Sequence, residues 1–259
     1  MKEFFIFGIK QARASIFAGS FFVLLFISNH IPLFGLPRYD FLFISAVIIQ
    51  GILYFTKLET KDELKVICMF HIIGLALELY KTSVAIGSWS YPEYSFLKIA
   101  TVPLYSGFMY AAVGSYISQA WKILKLELMN YTHYIVSVVL CALIYINFFT
   151  NHYIYDFRLL LIIAVFIFFW KTRVYFTVTD TRRWMPLNIG FILIAFFIWV
   201  AENISTFLGA WKYPDQIHVW GVVSTNKVSS WFLMVIISFI LVAYLKHFKK
   251  DVLRKSSEL

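Results

Sequence analysis

The chain has 259 residues, 61% of them hydrophobic, a mean hydropathy of +0.76 and only 14% charged residues. A water-soluble domain typically carries about 25% charged residues, so this composition argues against an ordinary soluble globule. The net charge of +9 does not imply nucleic acid, because the basic residues lie in alternate loops between apolar runs rather than in one patch.

The N-terminus carries Lys2, Lys10 and Arg13 ahead of an apolar run. No A-x-A-like site follows, so it reads as a retained first helix rather than a leader. Apolar runs near the length of a bilayer span lie at 16–31, 39–55, 64–80, 102–121, 134–149, 157–170, 186–207 and 230–245. Several are short and would need tilt or local thinning of the bilayer. The expected fold is all-α, a polytopic transmembrane bundle of about eight helices. Cys68 and Cys141 fall inside the runs and read as small core residues, with no disulfide framework. In the fourth run Gly107, Ala111, Gly114 and Ser115 would allow close helix packing. Its Tyr105, Tyr110 and Tyr116 would add hydroxyls to the interior.

Orientation follows from the cations. One set of loops holds Lys2, Lys10 and Arg13, then Lys57, Lys61 and Lys65, then Lys122 and Lys125, then Lys171, Arg173, Arg182 and Arg183, and finally Lys246, Lys249, Lys250, Arg254 and Lys255. The opposite set holds only Arg38, Lys81, Lys98, Arg158, Lys212 and Lys227. The positive-inside rule puts both termini in the cytoplasm of a multi-pass plasma-membrane protein.

Four features recur in order, at offsets of 116–124 residues. Ser28-Asn29-His30 returns as Thr150-Asn151-His152, and Tyr39-Asp40-Phe41 as Tyr155-Asp156-Phe157. Glu78-x-x-Lys81-Thr82 returns as Glu202-x-x-Ser205-Thr206. Gly87-Ser-Trp89-Ser-Tyr91-Pro92-Glu93 returns as Gly209-Ala-Trp211-Lys-Tyr213-Pro214-Asp215. A near-constant offset signals duplication. The expected units are 1–125 and 126–259. Four helices per unit is an even number, so the repeats would be parallel, related by an axis along the membrane normal. The repeated features would then gather at the outward face.

Glu78 and Glu202 end apolar runs, where a carboxylate is a candidate proton carrier or cation ligand. They are the candidate catalytic pair. Alternatively each is an interfacial acid tied to a neighbour; Lys81 is placed to serve Glu78, but Ser205 stands in the matching place. His71, two turns before Glu78, would relay protons or simply pack. Asn29, His30, Asn151 and His152 would cap helix ends or, alternatively, the two histidines with nearby acids would hold a metal. No His-x-x-x-His or Cys-x-x-Cys spacing supports metal, and no motif names a cofactor. Asp40 and Asp156 precede apolar helices and read as N-caps. Trp89, Tyr91, Trp211 and Tyr213 read as interfacial aromatics or as a rim that stacks on a ligand. Glu93 and Asp215 would sit at its mouth, and Lys81, Thr82 and Thr206 complete the candidate binding set.

The stretches KLETKDELKVICMFHIIGLALELYKTS, GSWSYPE, GFMYAAVGSYISQAW and WVAENISTFLGAWKYPDQ resemble the YoaT-like family of uncharacterised bacterial membrane proteins. The resemblance covers essentially the whole chain and implies a bacterial plasma-membrane protein. It implies no activity and no catalytic residue.

Three functions are compatible with these residues. The leading one is an intramembrane enzyme working by acid–base chemistry on a lipid or isoprenoid-like substrate. The second is a small-solute or ion transporter. The third is a structural or accessory membrane protein. The expected partners are membrane lipid and an apolar small molecule, and no nucleic acid. Depth discriminates the first two: a polar path reaching the inner face would favour transport. The inner half offers Gln50, Asn188 and Thr56, which is little.

Overall fold

In a computed structural model of the chain, residues 1–244 are described. The protein is mostly helical, about 62%, with nine helices among the described residues. They are α1 (Lys2–Ala14), α2 (Ile16–Ile27), α3 (Arg38–Phe55), α4 (Lys61–Lys81), α5 (Ser106–Ile123), α6 (Tyr134–Thr150), α7 (Arg158–Phe168), α8 (Leu187–Phe207) and α9 (Lys227–Ala243). Each expected apolar run carries a helix, α2 to α9. The end of the last run at Leu245, and the basic cluster from Lys246 to Lys255, lie outside the described residues.

Local chemistry sets the boundaries. Pro37 and Pro186 stand immediately before α3 and α8, where a missing N–H and a fixed φ cost a helix nothing. Thr60 and Glu63 form a reciprocal capping box at the start of α4, satisfying two otherwise orphaned donors. Pro103, in the short strand β2, also precedes its helix, α5, rather than breaking it.

α5 and α9 occupy the centre. α9 buries almost every residue from Phe232 to Ala243. α5 packs against α4, α1, α2 and α9, and α9 packs against α8, α6 and α7. The glycines of α5 do what their spacing suggests. A Cβ at Gly107 would collide with His71 and one at Gly114 with Phe70, so both allow α4 to approach closely. The outer helices carry large apolar side chains outward: Val47, Ile48 and Ile52 on α3, Leu159, Ile163 and Ile167 on α7, and Phe196 and Phe197 on α8. Cys68 also faces outward, unlike the core position expected of it.

By length and composition, α3 and α8 can each cross a membrane. A third span arises if α1 and α2, bent by 69° at Ser15, count as one. The other expected spans do not meet that standard. α7 has 11 residues, a rise of about 16 Å against a hydrocarbon core of about 30 Å.

Two features depart from the expected bundle of about eight helices. The N-terminal segment forms its own helix, α1. The basic loop after α7 is a sheet: β3 (Glu127–Met129), β4 (Arg173–Thr177) and β5 (Arg182–Pro186) are antiparallel in that order. A smaller pair, β1 (Lys98–Ile99) and β2 (Val102–Pro103), precedes α5. The larger sheet holds α1 in place. Arg183 pairs with Glu3 at 2.9 Å, Lys10 Nζ donates to Thr177 O at 3.2 Å, and Phe7 meets Phe176. In sequence, 171–183 reads only as a loop of four cations, Lys171, Arg173, Arg182 and Arg183, and these strands are not anticipated.

Candidate functional site

α4 delivers Glu78 to its end, 2% exposed. The chain then turns through Gly87, whose φ of +59° suits glycine, and Ser88 N–H donates to Lys81 O. That turn sends Trp89 and Tyr91 back over the carboxylate. Trp89 Nε1 and Tyr91 Oη each donate to Glu78 Oε2 at 2.7 Å, and Tyr110 Oη, from α5, donates to Oε1 at 2.8 Å.

The second half repeats the construction. Glu202, on α8, is 3% exposed. Gly209 has φ +75°, and Ala210 N–H donates to Ser205 O. Tyr213 Oη then donates to Glu202 Oε1 at 2.5 Å, while Trp231 Nε1, from α9, donates to Oε2 at 2.8 Å.

The two constructions meet. Ser90 and Lys212 form an isolated antiparallel bridge, with both N–H···O distances 2.9 Å. Trp89 lies edge-on to Tyr213 at 6.1 Å. Lys227, half-buried at the start of α9, holds its ammonium 4.4 Å from the Tyr213 ring centroid and 5.5 Å from that of Trp89. Its charge acts on both Glu78 and Glu202.

A surrounding layer ties the halves together. Arg38 pairs with Glu93 at 2.6 Å and donates to Leu208 O, Gly209 O and Ser28 Oγ. Tyr105 Oη donates to Ala210 O. Asn29 Nδ2 donates to Leu208 O at 3.1 Å. On the other side Lys81 Nζ contacts Asn151 Oδ1 at 3.0 Å and His152 Nε2 at 2.9 Å. Partial burial and the Lys81 ammonium hold His152 below the ordinary histidine range. Asn29 therefore meets the residue that follows α8, and Asn151 the last residue of α4, each across to the other half.

Other expected residues take different places. Lys81 does not serve Glu78, because three aromatic donors already fill that carboxylate. His30 Nδ1 donates to Phe26 O, 2.7 Å away, and the ring stacks on Phe26; it takes no partner in common with His152. Thr82 bonds Glu78 O and Thr101, and Thr206 accepts from Trp220. Trp211 is buried beside Tyr213. Asp215 acts on Lys227 at longer range. Asp40 is no N-cap. It accepts from Ser95 Oγ and from the N–H groups of Phe96 and Leu97, fixing the loop before α5. Asp156 accepts from Arg158 N–H and pairs with its guanidinium at 3.0 Å. His71 packs on Phe108, its Nδ1 buried without a partner.

The opposite end holds a carboxylate that sequence reading passed over. Glu59 is 2% exposed; it accepts from Gln50 and, at 2.6 Å, from Ser115 Oγ. Burial pushes its carboxyl above the ordinary range. Glu63 and Glu78 lie on one helix, about 22 Å apart along its axis, with Glu59 one step beyond Glu63.

The sequence profile described as "Protein of unknown function (DUF817)" matches residues 3–239. The chain belongs to this family. It is 53% identical, over 97% of its length and 94% of the relative's, to "Uncharacterized protein YoaT" of Bacillus subtilis (strain 168). The YoaT-like resemblance carried by the Glu78 and Glu202 stretches is thereby established. No solved structure matches.

Proposed function

We propose that the chain is a multi-pass protein of the bacterial plasma membrane with a cytoplasmic N-terminus. It would be built from two parallel four-helix repeats that share one outward-side site, and that site would pass protons, or a small cation exchanged for them, across the membrane. The observation that carries this reading is Lys227, whose ammonium lies over the Trp89 and Tyr213 rings that donate to the two buried carboxylates. Two carboxylates and one ammonium leave one negative charge. Arg158 does not offset it, being paired to Asp156. An unbalanced buried charge is costly, so the cluster favours taking up one proton or one cation.

Depth decides between transport and catalysis, and Glu59 supports transport. With Gln50 on α3 and Ser115 and Gln119 on α5 it puts buried polar groups beside the start of α4, the helix whose other end carries Glu78. The short α2 and α7 would cross only with local thinning of the bilayer, since tilt shortens the reach of a helix. The matching turns at Gly87 and Gly209, and the reciprocal contacts of Asn29 and Asn151, support the repeats.

The test is proton flux into liposomes holding the full chain and a pH-sensitive dye, under an imposed potential. The expected result is flux above empty vesicles, reduced at least tenfold, about 1.4 kcal/mol in the barrier, by Glu78→Gln, by Glu202→Gln and by Glu59→Gln. No flux from the wild type would defeat the reading. An acid–base enzyme acting on an apolar substrate is the second reading, favoured by the aromatic donors around both carboxylates. It predicts a lipid species altered by the wild type and not by Glu78→Gln/Glu202→Gln, read by mass spectrometry of membrane extracts.

A further inference from the structure

An open cleft of about 440 Å³ lies at the sheet end of the molecule, lined by Asn130, Trp170, Lys171, Arg173, Trp184 and Pro186. We propose that it binds the headgroup of an anionic phospholipid from the inner leaflet. The proposal rests on the membrane reading above, though not on proton flux.

Four observations carry it. First, both cations are exposed, and among the described residues neither Lys171 nor Arg173 has an acidic partner. Their neighbours differ: Arg182 pairs with Glu127 and Arg183 with Glu3. The sheet thus neutralises two of its cations and leaves the two at the cleft free for a ligand. Second, Arg173 is preorganised. Its guanidinium stacks 4.2 Å above the Trp184 ring, which fixes the plane while leaving in-plane N–H donors for phosphate oxygens. Third, Trp170 is 76% and Trp184 50% exposed, amphipathic rings of the kind that settle at headgroup level. Fourth, the cleft opens where α7 ends and α8 begins. Ile167 and Phe168 on one and Ile189 and Leu193 on the other are exposed beside it, an apolar wall suited to acyl chains. Basic pockets at helix ends on the cytoplasmic side suit anionic headgroups, and charge counting along the chain puts this loop on that side.

The test uses the full chain purified in a mild detergent and native mass spectrometry with added phosphatidylglycerol, phosphatidylcholine or inorganic phosphate. The expected result is retention of phosphatidylglycerol over phosphatidylcholine. Retention falls at least tenfold in Lys171→Gln/Arg173→Gln, stays unchanged in Lys61→Gln, an exposed cation away from the cleft, and is kept in the charge-preserving Lys171→Arg. Equal retention of the two lipids, or full retention by Lys171→Gln/Arg173→Gln, overturns the proposal. So does displacement of the lipid by an equal concentration of inorganic phosphate, which would make this a site for free anions. Failure of proton flux with lipid selectivity intact would defeat the transport reading alone. Release of the chain from membranes by alkaline carbonate would defeat the membrane reading beneath both.

Discussion

Glu78 and Glu202 hold matching places in the two halves, yet they are satisfied differently. Glu78 accepts three donors, two from its own loop and one from α5. Glu202 accepts two, one from its loop and one from α9. The tyrosine of the Trp-x-Tyr-Pro loop is common to both. The tryptophan is not: Trp89 donates to its glutamate, whereas the second carboxylate draws its indole from Trp231. Counted from the first residues of α5 and α9, the place of Tyr110 falls on Trp231, so an indole N–H stands where the first half has a hydroxyl. The halves thus keep an acid and one phenol while the remaining donors differ. The less saturated Glu202 has more capacity left for an incoming proton or cation.

The largest expected effect comes from removing the better-satisfied acid. Glu78→Leu strands three donors and should cost about 3–5 kcal/mol, against about 2–4 kcal/mol for Glu202→Leu. Thermal unfolding in one detergent compares them, and an equal or reversed order would end the idea that saturation distinguishes the sites. Next comes Lys227→Met. Double-mutant cycles with Glu78→Gln and with Glu202→Gln should each return a coupling of about 0.5–3 kcal/mol. Coupling to one glutamate only would mean two separate sites. Of comparable size, Tyr91→Phe and Tyr213→Phe should each cost about 1.5–3 kcal/mol, as expected for a hydrogen bond to a charged acceptor. The Tyr213 change should be the larger, its carboxylate having fewer donors to fall back on.

The smallest effect is a pH dependence at His152. Its pKa is lowered in the folded protein, so the neutral ring that meets Lys81 is stabilised. That contribution is present in full above the ordinary histidine value of about 6.5 and is lost as pH falls through the lowered folded value. Stability of the wild type should therefore decline with acidification below about pH 6.5 more steeply than that of His152→Gln. Parallel pH profiles would remove His152 from the contact between halves.

Much of the helical framework was legible because long apolar runs are a local signal. So was the internal recurrence, since Trp, Pro and Gly at fixed spacing are infrequent. What escaped was whatever depends on distant partners. Lys227 appeared only as one more outward cation, because nothing nearby in sequence marks it as facing Trp89 and Tyr213. Glu59 looked like one charge in a charged loop, and its burial depends on Ser115, 56 residues away. Asp40 suggested an N-cap by position, but the loop at Ser95 to Leu97 claims its oxygens. The β3–β4–β5 sheet was hidden by its own charge: Arg173, Arg182 and Arg183 resembled a solvated loop until Trp184, Glu127 and Glu3 supplied partners.

The separations between each glutamate and its donors also set an order of assembly. Trp89, Tyr91 and Tyr110 lie 11, 13 and 32 residues beyond Glu78, so this carboxylate is sheltered as soon as α5 has been made. Glu202 must wait for Trp231, 29 residues on, and α9 is the last described helix. During synthesis the first half can therefore enclose its acid before the second half is made. The Ser90–Lys212 bridge joins the halves only after α8 has been made, and α9, the last described helix to be made, fills the middle of the protein.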